Sequence, residues 1–200
     1  MNTYLSSSLT FHSDKITAKI DKFGDEDVII MMDWEHPIMS ASAAYVTENG
    51  GDILEIGFGM GISAGYIQSH SIDSHTIVEN HPQIIAKAVE WASNKSNVTI
   101  ISQSWMEWVD EVTTVENKNL PTYDGIFYDT SLDDDIVYFS SSLSELTKTG
   151  TKLSVFNSFS SETNDHNIEM NYKQINVSTP NSASQYFNND NVYYMPMKEF

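Results

Sequence analysis

Asp52-Ile53-Leu54-Glu55-Ile56-Gly57-Phe58-Gly59-Met60-Gly61 carries a short apolar run into three alternating glycines, and Ile62-Ser63-Ala64-Gly65-Tyr66-Ile67 continues it as a helix. Alternating glycines permit a tight turn and let a ligand approach the backbone closely. The spacing is G-x-G-x-G, not the dinucleotide G-x-G-x-x-G, and Glu55, two residues ahead of the loop, is no part of the dinucleotide pattern. A second acid, Glu79, ends the next apolar run 22 positions after Gly57, where a carboxylate can take both ribose hydroxyls. No Gly-Lys-Ser or Gly-Lys-Thr follows the loop, which excludes a P-loop phosphate cradle. A bare strand–turn–helix connection is the alternative, and Glu79 at that spacing weighs against it.

Charge narrows the ligand. The chain has 200 residues, ten lysines, no arginine and 28 Asp plus Glu, for a formal net charge of -18. Such a chain disfavours an anionic pyrophosphate. An adenosine cofactor without phosphate fits better, and S-adenosylmethionine is one: its sulfonium is cationic and its ribose asks only for a carboxylate. The same charge argues against a nucleic-acid partner, which needs a basic patch to displace counterions, and against an anionic membrane surface. A cationic or neutral small substrate is compatible with it, and a basic protein would be attracted. Without cysteine there is no disulfide, no thiolate nucleophile and no cysteine zinc site. The six histidines (His12, His36, His70, His75, His81 and His166) show no pairing at helical ligand spacing, so no metal is expected. The N-terminus lacks a signal-peptide pattern, and no apolar run approaches the ~18 residues of a membrane helix, so the expected location is cytoplasmic.

Elements to position these residues alternate along the chain. Strands are expected at 53–56, 76–79, 98–101, 123–128 and 152–156, near-continuous apolar runs that suit parallel strands covered on both faces. Helices are expected near 36–49, 60–70, 82–94, 104–115 and 134–147, with Pro82 at a helix start and Asp133-Asp134-Asp135 as negative charge at a helix head. The alternation predicts a doubly wound α/β sheet. Residues 160–191 are rich in Ser, Asn and Thr. Tyr172 to Ser178 and Val192 to Met195 read as a hairpin closing the sheet edge. Residues 1–27 are polar and weakly patterned, an arm or partial lid ahead of one domain over 28–200.

Further segments carry a resemblance. Met31-Met32-Asp33-Trp34-Glu35-His36-Pro37-Ile38-Met39, the glycine loop, Ile77-Val78-Glu79-Asn80, Ser104-Trp105-Met106-Glu107, Tyr123 to Thr130 and Tyr193-Tyr194-Met195-Pro196 appear in that order. Together they resemble class I S-adenosylmethionine-dependent methyltransferases of the guanidinoacetate N-methyltransferase type, which include fungal arginine δ-N-methyltransferases. The Trp-Glu-x-Pro-x-Met and Tyr-Asp-Thr elements are more specific than the glycines. The resemblance implies a single Rossmann-like domain with a mostly parallel seven-stranded sheet, helices on both faces and a C-terminal antiparallel hairpin. It implies that Gly57, Phe58, Gly59, Met60, Gly61 and Ile62, with Glu55, line the cofactor. Glu79 would meet its ribose, Ser104, Trp105 and Met106 its adenine, Met39 would pack nearby, and Asn80 is also among the cofactor-binding residues. Glu35 and Asp129 would hold a guanidinium as the catalytic pair, with Asp129 also beside the cofactor, while Thr130, Asn157, Ser158 and Phe159 would border the substrate.

Elementary chemistry supports the two carboxylates independently. Asp129 follows the fourth strand, at the carboxyl edge where open α/β sheets bind ligands. A guanidinium is planar and takes carboxylates bidentately. The expected reaction is N-methylation of a small guanidino substrate, guanidinoacetate to creatine, with S-adenosylhomocysteine as by-product. Arginine within a basic protein, or a cofactor-binding module without activity, are the alternatives. The expected assembly is a monomer or homodimer.

Overall fold

A computed structural model describes residues 3–114, 121–130, 136–159, 161–162, 168–185, 187 and 191–200. The apolar runs form strands where the alternation places them: β4 (Asp52–Ile56), β5 (Ser74–Glu79), β6 (Val98–Ser102), β7 (Tyr123–Tyr128) and β8 (Thr147–Val155). The helices between them are α1 (His36–Val46), α2 (Ile62–Gln68), α3 (Pro82–Ala92), α4 (Trp105–Thr114) and α5 (Ile136–Leu146). Proline sits in the first turn of both α1 and α3, where its missing N–H costs nothing. The aspartate run 133–135 expected at the head of α5 lies outside the described residues, as does His166.

Seven strands make one sheet in the order β6-β5-β4-β7-β8-β10-β9, where β9 is Asn171–Asn176 and β10 is Val192–Glu199. The pairs among β4 to β8 are parallel, and both β10 pairs are antiparallel. This is the expected architecture: a mostly parallel seven-stranded sheet closed by a C-terminal hairpin. Composition, not chain order, selects the edge strand. β9, Asn-Tyr-Lys-Gln-Ile-Asn, is polar on nearly every position and takes the outside, where its lysine blunts the edge; the more apolar β10 is inserted between it and β8. A 3-10 turn at Asn181–Gln185 lies between the two hairpin strands.

Alternation within β4 distributes the core over two faces. Leu54 and Ile56 pack with Trp105, Trp108 and Val109 of α4 and with Phe139, Leu143 and Leu146 of α5. Ile53 faces the opposite way, onto Met39 and Val46 of α1 and Ile62 and Ile67 of α2. Helices thus cover both faces, which is what apolar parallel strands require.

The polar N-terminal segment folds as a sheet, which its weak pattern did not announce. β1 (Leu9–Phe11), β2 (Lys15–Lys19) and β3 (Asp27–Met32) pair antiparallel. The boundary expected between residues 27 and 28 falls inside β3, so the first 27 residues and the body share this sheet. Leu9, Ile16, Ala18 and Ile20 lie in one buried cluster with Phe58, Ile84 and Ala88. The Leu9 N–H donates to Gln83 Oε1 at 2.7 Å, and the Lys87 ammonium lies 4.3 Å from the centre of the Phe11 ring. No helix among the described residues is long and apolar enough to cross a membrane.

Candidate active site

Parallel strands β4 and β7 lie side by side, and the chain turns outward from them in opposite directions, to β5 on one side and β8 on the other. The crevice outside their carboxyl ends is the topological switch point, where ligands of open α/β sheets bind. Gly57 and Asp129 are the first residues beyond those two strands. The Gly57 N–H donates to Val78 O and the Asp129 N–H to Ile56 O, each at 2.9 Å. Gly57 has φ +93°, and a Cβ placed on it would stand 1.9 Å from the Asp129 carbonyl oxygen. Only glycine lets these two loops touch.

The rest of the glycine loop is built on backbone groups. The Phe58 N–H donates to Glu79 Oε2 at 3.0 Å, while Glu79 Oε1 accepts from the N–H groups of Asn80 and His81 at 2.9 and 2.8 Å. Glu79 is therefore locked at the end of β5, beside the loop, with its orientation set by three main-chain donors. Gly59 and Gly61 also have positive φ, and Met31 covers the loop: its sulfur accepts from the Met60 N–H at 3.2 Å. The seat of Met31 over the loop is signalled in the sequence only by its place in the Met-Met-Asp-Trp-Glu segment.

Four carboxylates gather around this crevice. Glu35 ends a 3-10 turn (Asp33–Glu35) between β3 and α1, is buried, and accepts from the Met32 N–H through Oε1 at 2.8 Å. Asp129 is half-buried, and its carboxyl is pushed well above the usual range, first by burial and then by the negative charges of Glu35, Glu55 and Glu79. Like charges held together in a poorly solvated site disfavour ionisation. A cation in the crevice relieves that repulsion. The glycine cradle, the carboxylate of Glu79 fixed at the end of β5 and this negative crevice together suit an adenosine cofactor with a positive sulfur, so the residues fit S-adenosylmethionine.

Not every expected contact residue presents a side chain there. Met39 is fully buried between α1 and the sheet, Phe58 packs against Trp91 at 5.5 Å, and the Trp105 ring stands 5.7 Å from both Tyr128 and Phe139 in the α4–α5 core. All three side chains pack inward. Ser104, Met106, Asn80 and Thr130 are half-buried at the carboxyl edge. Ile62 opens α2 and faces the core, and Asn157 is buried while Ser158 and Phe159 are exposed.

Glu55 is also wholly inside. Its Oε1 accepts from the Ser63 hydroxyl, and its Oε2 lies 2.9 Å from His75 Nε2, off the line of an ideal hydrogen bond; both side chains are 0% exposed. On the far side of the ring, Gln68 Nε2 approaches His75 Nδ1 at 3.4 Å. Ser63 and Gln68 both belong to α2, so the pair clamps the helix that begins at the glycine loop onto β4 and β5. Glu55 is thus held beneath the glycine loop by Ser63 and His75. His75 went unnoticed in the sequence; polar residues at inward positions of two neighbouring apolar strands were its signal. His75→Leu strands the Glu55 carboxylate and is expected to lower stability by about 3–5 kcal/mol, measured by chemical denaturation; a loss below about 1 kcal/mol would refute the clamp.

Comparison with known proteins agrees with this geometry. The family model described as guanidinoacetate N-methyltransferase matches residues 14–155. A protein named protein arginine N-methyltransferase 2 from Kluyveromyces lactis is 37% identical over 134 residues, 64% of this chain and 31% of that protein. Its namesake from Aspergillus oryzae is 34% identical over 160 residues, 77% of this chain and 36% of that protein. The chain thus spans about a third of the length of the curated relatives it matches. Among solved structures, spermidine synthase from Thermotoga maritima superposes with a TM-score of 0.62 at 12% identity, over 96% of this chain and 72% of that one. A precorrin-6y C5,15-methyltransferase from Geobacter metallireducens gives 0.58 at 15% identity, over 82% and 88%; both likenesses concern the fold. With the match covering the switch-point loops, Glu35 and Asp129, the chain belongs to the guanidinoacetate N-methyltransferase family of class I S-adenosylmethionine-dependent methyltransferases.

Proposed function

We propose that this protein transfers a methyl group from S-adenosylmethionine to a guanidino nitrogen, with guanidinoacetate as the acceptor and creatine as the product. The observation that carries the reading is the negative crevice: Asp129 is held against ionisation by burial and by Glu35, Glu55 and Glu79. Such a site favours cations, and both a sulfonium and a guanidinium are cations. Bound at the glycine loop, S-adenosylmethionine supplies an electrophilic methyl group on positive sulfur. Gly57 to Gly61 and Glu79 would hold it.

The protein's own part is orientation and proton transfer. Asp129 and Glu35 grip the guanidinium through charge-assisted hydrogen bonds and fix its plane. A protonated guanidinium has no free lone pair, so the attacking nitrogen must give up a proton, and Asp129 accepts it. Alignment of the reacting atoms supplies most of the rate, and the base contributes about 10²–10⁴-fold. Because no arginine exists in the chain, the carboxylate of a guanidino acid would be met by backbone N–H groups or lysine.

Arginine in a basic protein is the second reading. It is favoured by the net charge of -18 and by the names of the relatives. Label from methyl-labelled S-adenosylmethionine is expected to reach guanidinoacetate. Transfer only to arginine-rich peptides would replace the first reading by the second. S-adenosylhomocysteine binding with no transfer to any guanidino compound would leave a cofactor-binding module and overturn both.

A further inference from the structure

Pro196 stands in the middle of β10 and has no N–H to give the neighbouring β8. The paired residues of those two strands are accordingly Lys198 with Leu153 and Glu199 with Lys152, beyond the proline. Toward the carboxyl edge of the sheet, side chains bridge the two strands instead. The Ser154 hydroxyl donates to Pro196 O at 2.9 Å, and Asn157 Nδ2 donates to Tyr194 O at 3.1 Å. Into the same wedge goes the Tyr193 side chain, wholly buried. Its ring lies between Phe156 and Phe187, with centres 5.7 and 5.8 Å away.

The Tyr193 hydroxyl is spent on the turn that follows β8. It accepts from the Asn157 N–H at 2.7 Å and leans on Val155 O at 3.4 Å. Asn157 Oδ1 in turn accepts from the Phe159 N–H at 3.1 Å. One phenol thus sets the path of the backbone at Asn157, and Asn157 sets that of Phe159. The hydroxyl also senses the crevice: burial, and then the charges of Asp129 and Glu35, push its ionisation well above the usual phenol range. The group therefore stays protonated, able to accept from Asn157 while donating to Val155.

We infer that Tyr193 is a positioning residue for the methyl acceptor: its hydroxyl holds the Asn157–Phe159 backbone at the mouth of the crevice, where the carboxylate end of a guanidino acid would dock. This deepens the function proposed above and rests on it. A buried tyrosine whose only task was packing would need no hydroxyl, and Phe would serve. Here the hydroxyl takes up the Asn157 N–H itself and so sets the turn that carries the Ser158 backbone between Asn157 and Phe159.

Tyr193→Phe in the full chain tests this, with labelled S-adenosylmethionine and guanidinoacetate as reactants. The expected result is an acceptor KM raised about 3- to 10-fold, the worth of one ordinary hydrogen bond, with kcat and S-adenosylhomocysteine affinity changed less than about twofold. Asn157→Ala removes the turn's other two ties and leaves Tyr193 in place. It is expected to raise the same KM, and the double variant to fall short of the summed effects, as coupled groups do. An unchanged KM in Tyr193→Phe beside a lowered melting temperature would reduce Tyr193 to packing and overturn the inference, as would strictly additive effects. A wild-type chain that binds S-adenosylhomocysteine but methylates no guanidino acceptor overturns the proposed function itself, and the acceptor role of Tyr193 with it.

Discussion

Asp129→Asn is expected to slow methyl transfer by about 10²–10⁴-fold while making the ligand-free protein more stable at neutral pH. The amide keeps the shape of the side chain but can neither carry the charge that grips a guanidinium nor accept its proton. The stability effect has the opposite sign because of where Asp129 sits. Burial and three neighbouring carboxylates raise its folded pKa above the unfolded value. The folded state then prefers the protonated acid. That preference is fully present below the unfolded carboxyl range near pH 4 and is lost as pH rises through the folded value. Above it, the fold carries the cost of an ionised carboxylate among like charges, and asparagine removes that cost. The gain in melting temperature should therefore grow as pH rises above about 4 and vanish below it. The wild-type rate should rise with pH as Asp129 ionises, and bound cations should shift that rise to lower pH. Equal melting temperatures for the two proteins near neutrality would show that Asp129 is not under repulsion. Undiminished turnover would remove it as the proton acceptor.

Gly57→Ala should be almost as damaging, for a mechanical reason. The new Cβ would meet the Asp129 carbonyl oxygen at 1.9 Å and the carbonyl carbon at 3.0 Å, and alanine would have to hold φ +93°. Backbone in so sparsely populated a region costs about 1–3 kcal/mol, and neither contact atom is the end of a pliant side chain. The loops after β4 and β7 must separate, which moves the cofactor cradle away from the acceptor carboxylates. Displacement of about 1 Å at a reacting centre can cost 10²-fold in rate, so the expected loss is at least of that order, with weakened S-adenosylhomocysteine binding in titration calorimetry. Gly65→Ala is the control. It is the same chemical change on the exposed side of α2, with no atom within 4 Å of the new Cβ, and it should stabilise the helix by about 0.5–1 kcal/mol. If both variants behaved alike, the Gly57–Asp129 contact would not be what holds the site together.

Most of the sheet and the principal acids were legible in the sequence because their signals are local. Apolar runs of parallel-strand length, prolines at helix starts and three alternating glycines are each read within ten residues. Glu79 was legible from its distance to the loop. The N-terminal sheet was not, because Leu9–Phe11 and Lys15–Lys19 are short and mix polar with apolar residues, and what buries them lies far along the chain, at Phe58, Ile84 and Ala88. Met39, Phe58 and Trp105 were singled out only by resemblance, and their side chains pack inward.

The sequence by itself determined the class of fold, the glycine loop and the excess of acid, since composition and spacing are enough to specify a tight turn, an alternating α/β chain and a preference for cations. Tertiary structure alone decided that Glu55 is clamped to His75 beneath the loop, and that Tyr193 reaches across from an antiparallel strand to the turn after β8. Both are pairings of residues 20 and 36 positions apart. Their chemistry exists only once the sheet brings them within hydrogen-bond reach and removes the water between them.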